Sequence, residues 1–116
     1  MIGRAELEER DGILVARVVG EVDLANVEDM ESEIAVAIKP EMRGLVLDLR
    51  PTTYLDSTGI RMIFHLAQRL QERRHDLRLV VDADTLVHRV LAVTQMHDVV
   101  PIDASVEAAF AALGHA

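Results

Sequence analysis

Gly44-Leu45-Val46-Leu47-Asp48-Leu49, followed by Arg50-Pro51-Thr52-Thr53-Tyr54-Leu55-Asp56-Ser57-Thr58-Gly59, decides the fold. An apolar run of strand length gives way to a polar segment and then to residues with helical periodicity. Ser57 therefore falls where a buried strand has ended and a helix is about to begin. Exposed N–H groups and the positive end of the helix dipole equip such a place to hold a phosphate.

Working outward, the strand at 44–49 is apolar on both faces apart from Asp48, which suits a central strand covered by helices. After Ser57, Ile60, Ile63, Phe64, Ala67 and Leu70 share one helical face, and Arg61, His65, Gln68 and Glu72 share the opposite one. Met62 and Leu66 flank the two. Upstream, residues 4–9 and 13–19 read as a hairpin turning at Asp11-Gly12, and a helix follows from Leu24 until Pro40, with Asp23 as its N-cap. Downstream, a strand is expected over 77–81 and a helix from about Asp84 through Leu91. An edge strand over 99–102 contains Pro101, and a last helix over 104–113 stops at Gly114. The expected fold class is α/β: a mixed, mostly parallel sheet of about four to five strands, opened by an N-terminal hairpin, with about four helices packed against it.

Composition narrows the function. The 116 residues suit one domain with a single core, and 50% hydrophobic against 28% charged residues marks a globular chain. A formal charge of −8 and only 3% aromatic residues argue against nucleic-acid binding and against an anionic membrane surface. No apolar run approaches the roughly 18 to 20 residues of a membrane span, and residues 1–6 lack a signal-peptide core, so a cytoplasmic location is expected. Without cysteine there is no thiol chemistry, and the histidines His65, His75, His88, His97 and His115 have no close metal-ligand spacing. No metal and no cofactor are implied.

Gly20-Glu21-Val22-Asp23, the strand Gly44 to Leu49, and Leu55-Asp56-Ser57-Thr58-Gly59-Ile60 together resemble the STAS family, in particular its small anti-sigma-factor antagonists. The resemblance runs from about residue 4 to 113 and implies one STAS-like domain over 1–116. It implies a non-enzymatic binding module that works by partner switching. Ser57 matches the serine that an anti-sigma factor, itself an ATP-dependent serine kinase, phosphorylates. The unphosphorylated form binds that kinase and releases a sigma factor, and a metal-dependent serine phosphatase resets the switch. By position, Asp23, Asp56, Thr58, Gly59, Arg61 and Met62 belong to the partner-binding surface. Three residues depart from the family pattern: Asn26 where many members have threonine, Arg61 where a small glycine-like residue is common, and Gln95 where glycine ends the third helix.

Other readings stand beside these. Asp23, Asp56 and Ser57 serve equally as helix caps, Thr58 as a solvated first-turn residue, and Arg69, Arg73 and Arg74 as a cationic helix end suited to the dipole. Ser57 lacks an adjacent histidine and a Gly-x-Ser-x-Gly setting, so it is a substrate rather than a nucleophile. Asp48 sits where a receiver domain carries its phosphate-accepting aspartate, but the acidic pair is missing and Lys39 is misplaced. Keeping the fold, the domain could instead be a scaffold or adaptor with Ser57 only a cap. A nucleotide-hydrolysing domain lacks its Gly-x-x-x-x-Gly-Lys loop. Met62 with Leu66 reads as a core margin ahead of a docking stripe; an exposed flank would invite a dimer or a partner, and the oligomeric state stays open between monomer and weak dimer.

Overall fold

The computed structural model describes residues 1–114; His115 lies outside them. β1 (Arg4–Arg10) and β2 (Ile13–Val22) form the opening hairpin, and Asp11 and Gly12 both take left-handed φ of 53 and 77. Two successive left-handed residues make the tight turn whose twist matches that of the strands. β3 (Gly44–Asp48), buried throughout, pairs parallel to β2 from Ile13↔Gly44 to Arg17↔Asp48. Next comes β4 (Thr52–Leu55), then β5 (Asp76–Val80) and β6 (Ile102–Asp103), both parallel to their neighbours. The sheet order is β1-β2-β3-β5-β6, with β4 paired to β2. The expected α/β class, hairpin and mostly parallel sheet hold. β4 is a strand beyond those that the sequence pattern predicts.

Among the described residues four helices cover the sheet: α1 (Val27–Ala37), α2 (Ser57–Glu72), α3 (Leu86–Val93) and α4 (Val106–Leu113). Alternation along the strands sorts their side chains between two cores. Leu14, Ala16, Leu45, Leu47 and Leu79 meet α1, α2 and α3 on one face, and Ile13, Val46 and Val80 meet α4 on the other. The Asp48 carboxylate is buried and accepts from Arg50 Nε and Nη2, both at 2.9 Å. A bidentate guanidinium thus occupies the group that a receiver domain would use.

Several expectations need correcting. The buried arc of α2 is turned toward Met62 and Leu66, which are 1% and 0% exposed, while Phe64, expected in the core, is 36% exposed. α2 packs on the sheet through Gly59, Met62, Ile63, Leu66 and Leu70, so the flank becomes the centre of the buried face. α1 begins at Val27 rather than Leu24, because residues 24–26 form a turn. The strand expected over 99–102 is only Ile102–Asp103, preceded by a 3₁₀ turn, Met96–Asp98. Gly114 caps α4 with an ordinary φ of −79.

Two glycines shape the end of the sheet where α2 starts. Gly20, at φ +91, breaks the regular register of β2, so that its last residues pair with β4 as Glu21↔Tyr54 and Val22↔Leu55. Gly59 lets the first turn of α2 sit against those strand ends; a Cβ there would run into Leu55 Cδ1 and stand 3.2 Å from Val22 Cγ1. For Gly59→Ala, overpacking of about 1–3 kcal/mol outweighs a helix-propensity gain of about 1 kcal/mol. A lower urea midpoint with unchanged m-value is expected. Gln95 holds the left-handed φ of 57 where glycine is the unstrained choice. Gln95→Gly should raise stability by up to ~1 kcal/mol in the same measurement.

Candidate functional site

The parallel pair β2/β4 ends at Val22↔Leu55, so the next residues of both strands, Asp23 and Asp56, open two neighbouring loops. Asp56 N–H donates across to Val22 O at 3.3 Å. From there each loop feeds a helix.

Asp56 is the N-cap of α2. Its Oδ1 accepts from Thr58 N at 2.9 Å and Gly59 N at 3.1 Å, and its carbonyl accepts from Ile60 N at 3.1 Å. The Thr58 hydroxyl also donates to Oδ1. That bond is the chief reason the Asp56 carboxyl is held below its ordinary 3.8; the N–H groups of Gly59, Thr58 and Leu24 add to it, and partial burial opposes it. The Leu24 N–H belongs to the other loop; the hydrogen bond that joins the two segments is the one from Asp56 N to Val22 O. The N–H groups of Thr58, Gly59 and Ile60 at this helix start are therefore already bonded within the chain.

Ser57, the first residue of α2, is exposed, and its hydroxyl makes no hydrogen bond among the described residues. Two hydroxyls stand side by side in different conditions. Thr58 is half-buried and committed to Asp56; Ser57 is open to solvent.

Asp23, expected as the N-cap of α1, caps the turn before it. Its Oδ1 accepts from Ala25 N at 2.9 Å, and its carbonyl accepts from Asn26 N and Val27 N. Asn26 occupies the cap position without a side-chain cap bond and uses its carboxamide elsewhere. Arg61 is exposed one turn beyond Ser57 and makes no ion pair among the described residues. Gly59 and Met62 do not reach the surface: the glycine is wedged against Leu55 and Val22, and the methionine is sealed in the core. Leu66 is buried in the same way, so the flank it forms with Met62 belongs to the core and is not a docking stripe. Leu24, 76% exposed in the loop beside Asp56, supplies apolar surface that the sequence reading missed by placing it inside α1.

The arrangement is a rigid polar edge rather than a pocket. A groove of about 570 Å³, lined by Phe64, Gln71, His75, Val100 and Leu113 among others, begins two turns down α2 and does not include Ser57. Among the described residues no helix is long and apolar enough to cross a membrane.

A family model for the STAS domain matches residues 4–109. BtrV of Bordetella bronchiseptica, a candidate anti-sigma factor antagonist, is 31% identical over 106 residues, covering 91% of this chain and 90% of BtrV. An anti-sigma factor antagonist from Mycobacterium paratuberculosis has the same fold, with a TM-score of 0.87 at 21% identity over 97% of this chain and 95% of that one. So does the anti-sigma factor antagonist SpoIIAA in its unphosphorylated form, with a TM-score of 0.74 at 20% identity over 97% and 99%. Matched along most of its length, and resting on the same strand-loop-helix frame, this chain belongs to the STAS domain family, among its anti-sigma factor antagonists.

Proposed function

We propose that the chain is a phosphorylation-controlled, non-catalytic binding module whose partner is an anti-sigma factor with serine kinase activity. Unmodified, it occupies that partner and releases a sigma factor. In the modified state Ser57 Oγ has taken the γ-phosphoryl group of ATP, its proton has passed to the kinase, and ADP has left. A metal-dependent serine phosphatase returns the hydroxyl by hydrolysis with water. The observation that carries this reading is the solvent-facing, unbonded Ser57 hydroxyl beside a Thr58 hydroxyl already held by Asp56.

Recognition then falls to Ser57 together with Asp23, Asp56, Thr58 and Arg61, and Leu24 adds apolar contact. Phosphorylation brings about −1.5 to −2 charges. With the Thr58 and Gly59 N–H groups bonded to the Asp56 carboxylate, the phosphate points outward, and the fold keeps its cap. Arg61 stands four residues on, the spacing at which an acid and a following base interact on a helix surface. The partner meets a dianion where it fitted a neutral hydroxyl. Weakening a micromolar complex a thousandfold takes about 4 kcal/mol, which desolvation of a buried dianion supplies.

Ser57→Ala should retain binding and lose phosphorylation, and Ser57→Asp should lose binding, with both melting close to the parent chain. Incubation with a cognate kinase and ATP, read by mass spectrometry, should add one phosphate at Ser57. No added mass there would leave an adaptor with a capped helix, and binding undiminished by Ser57→Asp would remove the switch.

Asp56→Ala should cost about 1 kcal/mol of stability at neutral pH. The folded carboxyl titrates below its unfolded value of 3.8, so the stabilisation is complete above that value and disappears as pH falls through the lower, folded one. Unfolding curves of the two proteins, well separated at pH 7, should converge in acid.

A further inference from the structure

Asn26 is fully engaged in holding three separate pieces of backbone. Its Nδ2 donates to Glu21 O at 2.8 Å and to Gly3 O at 3.1 Å, and its Oδ1 accepts from Asp23 N at 3.1 Å. The partners dictate the orientation of the amide: two carbonyls require the NH₂ end, and a backbone N–H requires the oxygen. Glu21 in turn accepts from Gly3 N at 2.8 Å and donates to Met1 O at 3.1 Å, so residues 1–3 run beside the end of β2 as a short strap. Both atoms of one side chain thus close a ring through the strap, the strand end and the loop.

We infer that Asn26 is the positioning residue of the proposed partner surface, its carboxamide fastening the Asp23–Asn26 loop to residues 1–3 and so fixing Asp23 and Leu24 beside Ser57. Of the common loop residues only a carboxamide fits this place. A threonine hydroxyl donates a single proton and leaves one carbonyl unbonded, and a carboxylate at neutral pH donates none and faces two carbonyl oxygens. The consequence reaches α2, because the loop that Asn26 closes follows directly on Val22, whose carbonyl accepts from the N–H of the α2 cap, Asp56, at 3.3 Å. Leu24 is 76% exposed, so a fixed loop offers a partner an apolar side chain at a set distance from the hydroxyl.

The test uses Asn26→Thr and Asn26→Asp in the full chain and needs no ligand for its first arm. Amide hydrogen exchange, read residue by residue by NMR, should quicken at least tenfold at Asp23 and Gly3 in both variants while Leu45, Val46 and Leu47 in β3 keep their parent rates. Unchanged rates at Asp23 and Gly3 would overturn the inference, and so would an equal acceleration in β3, which marks a general loss of stability. The second arm rests on the switch proposed above and uses the purified partner from the Ser57 experiment. Asn26→Thr should weaken that complex about tenfold with little change in Tm; parent affinity in this variant would overturn the inference and leave the switch standing. If the parent chain forms no Ser57-dependent complex, the switch falls, and the exchange rates still decide the role of Asn26.

Discussion

The parallel pairing of the end of β2 with β4 is the constraint on which the functional end of this domain depends. β2 follows β3 as far as Arg17↔Asp48, bends at Gly20, and gives its last residues to β4. Without that bend the two loops would open from different parts of the sheet. With it, Asp23 and Asp56 follow a paired Val22 and Leu55, and the Asp56 N–H bonds across to the Val22 carbonyl. A surface that recognises a partner by fit loses affinity to every side chain and loop it must order on binding. A loop and a helix start that are already cross-bonded avoid much of that cost.

Helix capping and recognition draw on the same N–H groups, and here capping has taken them. The free helix N-terminus suggested by the sequence is occupied by Asp56 through Thr58 N, Gly59 N and Ile60 N. A group added to Ser57 therefore meets a helix start whose next three N–H groups are already engaged. This separates the two roles that the sequence left merged: Asp56 holds the helix, and Ser57, with no internal bond to lose, is available for modification.

The strand Gly44 to Asp48 and the exposed edge of α2 were legible because burial imposes a pattern that a single sequence displays. The hairpin was legible because Asp-Gly supplies the two left-handed residues that its turn needs. β4 was not, although Thr52-Thr53-Tyr54-Leu55 has the β-branched and aromatic composition of a strand. Four residues after a proline carry too little periodicity to stand out, and what makes them a strand is a partner thirty residues away. The rotation of α2 escaped for a related reason. Phe64 and Met62 are both apolar, and the tertiary packing that seats Gly59 against Leu55 and Val22, which no local pattern reveals, goes with Met62 facing the core. Asn26 was visible as a departure from the family pattern, but its hydrogen bonds run to Gly3 and Glu21, which no local rule connects to it.

The magnitudes explain why a switch of this design acts between molecules. Inside the domain, a phosphate on Ser57 would gain about 0.3 to 1 kcal/mol from the helix dipole and about 0.2 to 0.5 kcal/mol from a base four residues on. Repulsion from Asp56 and Asp23 opposes these, and in solvent with a screening length of about 8 Å it is of similar size. The terms nearly cancel, so the folded state hardly registers the modification. Against a partner the balance changes, because water leaves, screening fails, and the dianion must be desolvated where only a hydroxyl had been matched. The same charge is thus nearly neutral to folding and decisive for association, provided that the hydroxyl stands in solvent when free and in contact when bound. The exposed first residue of a capped helix, on an edge held by a paired strand, meets that condition.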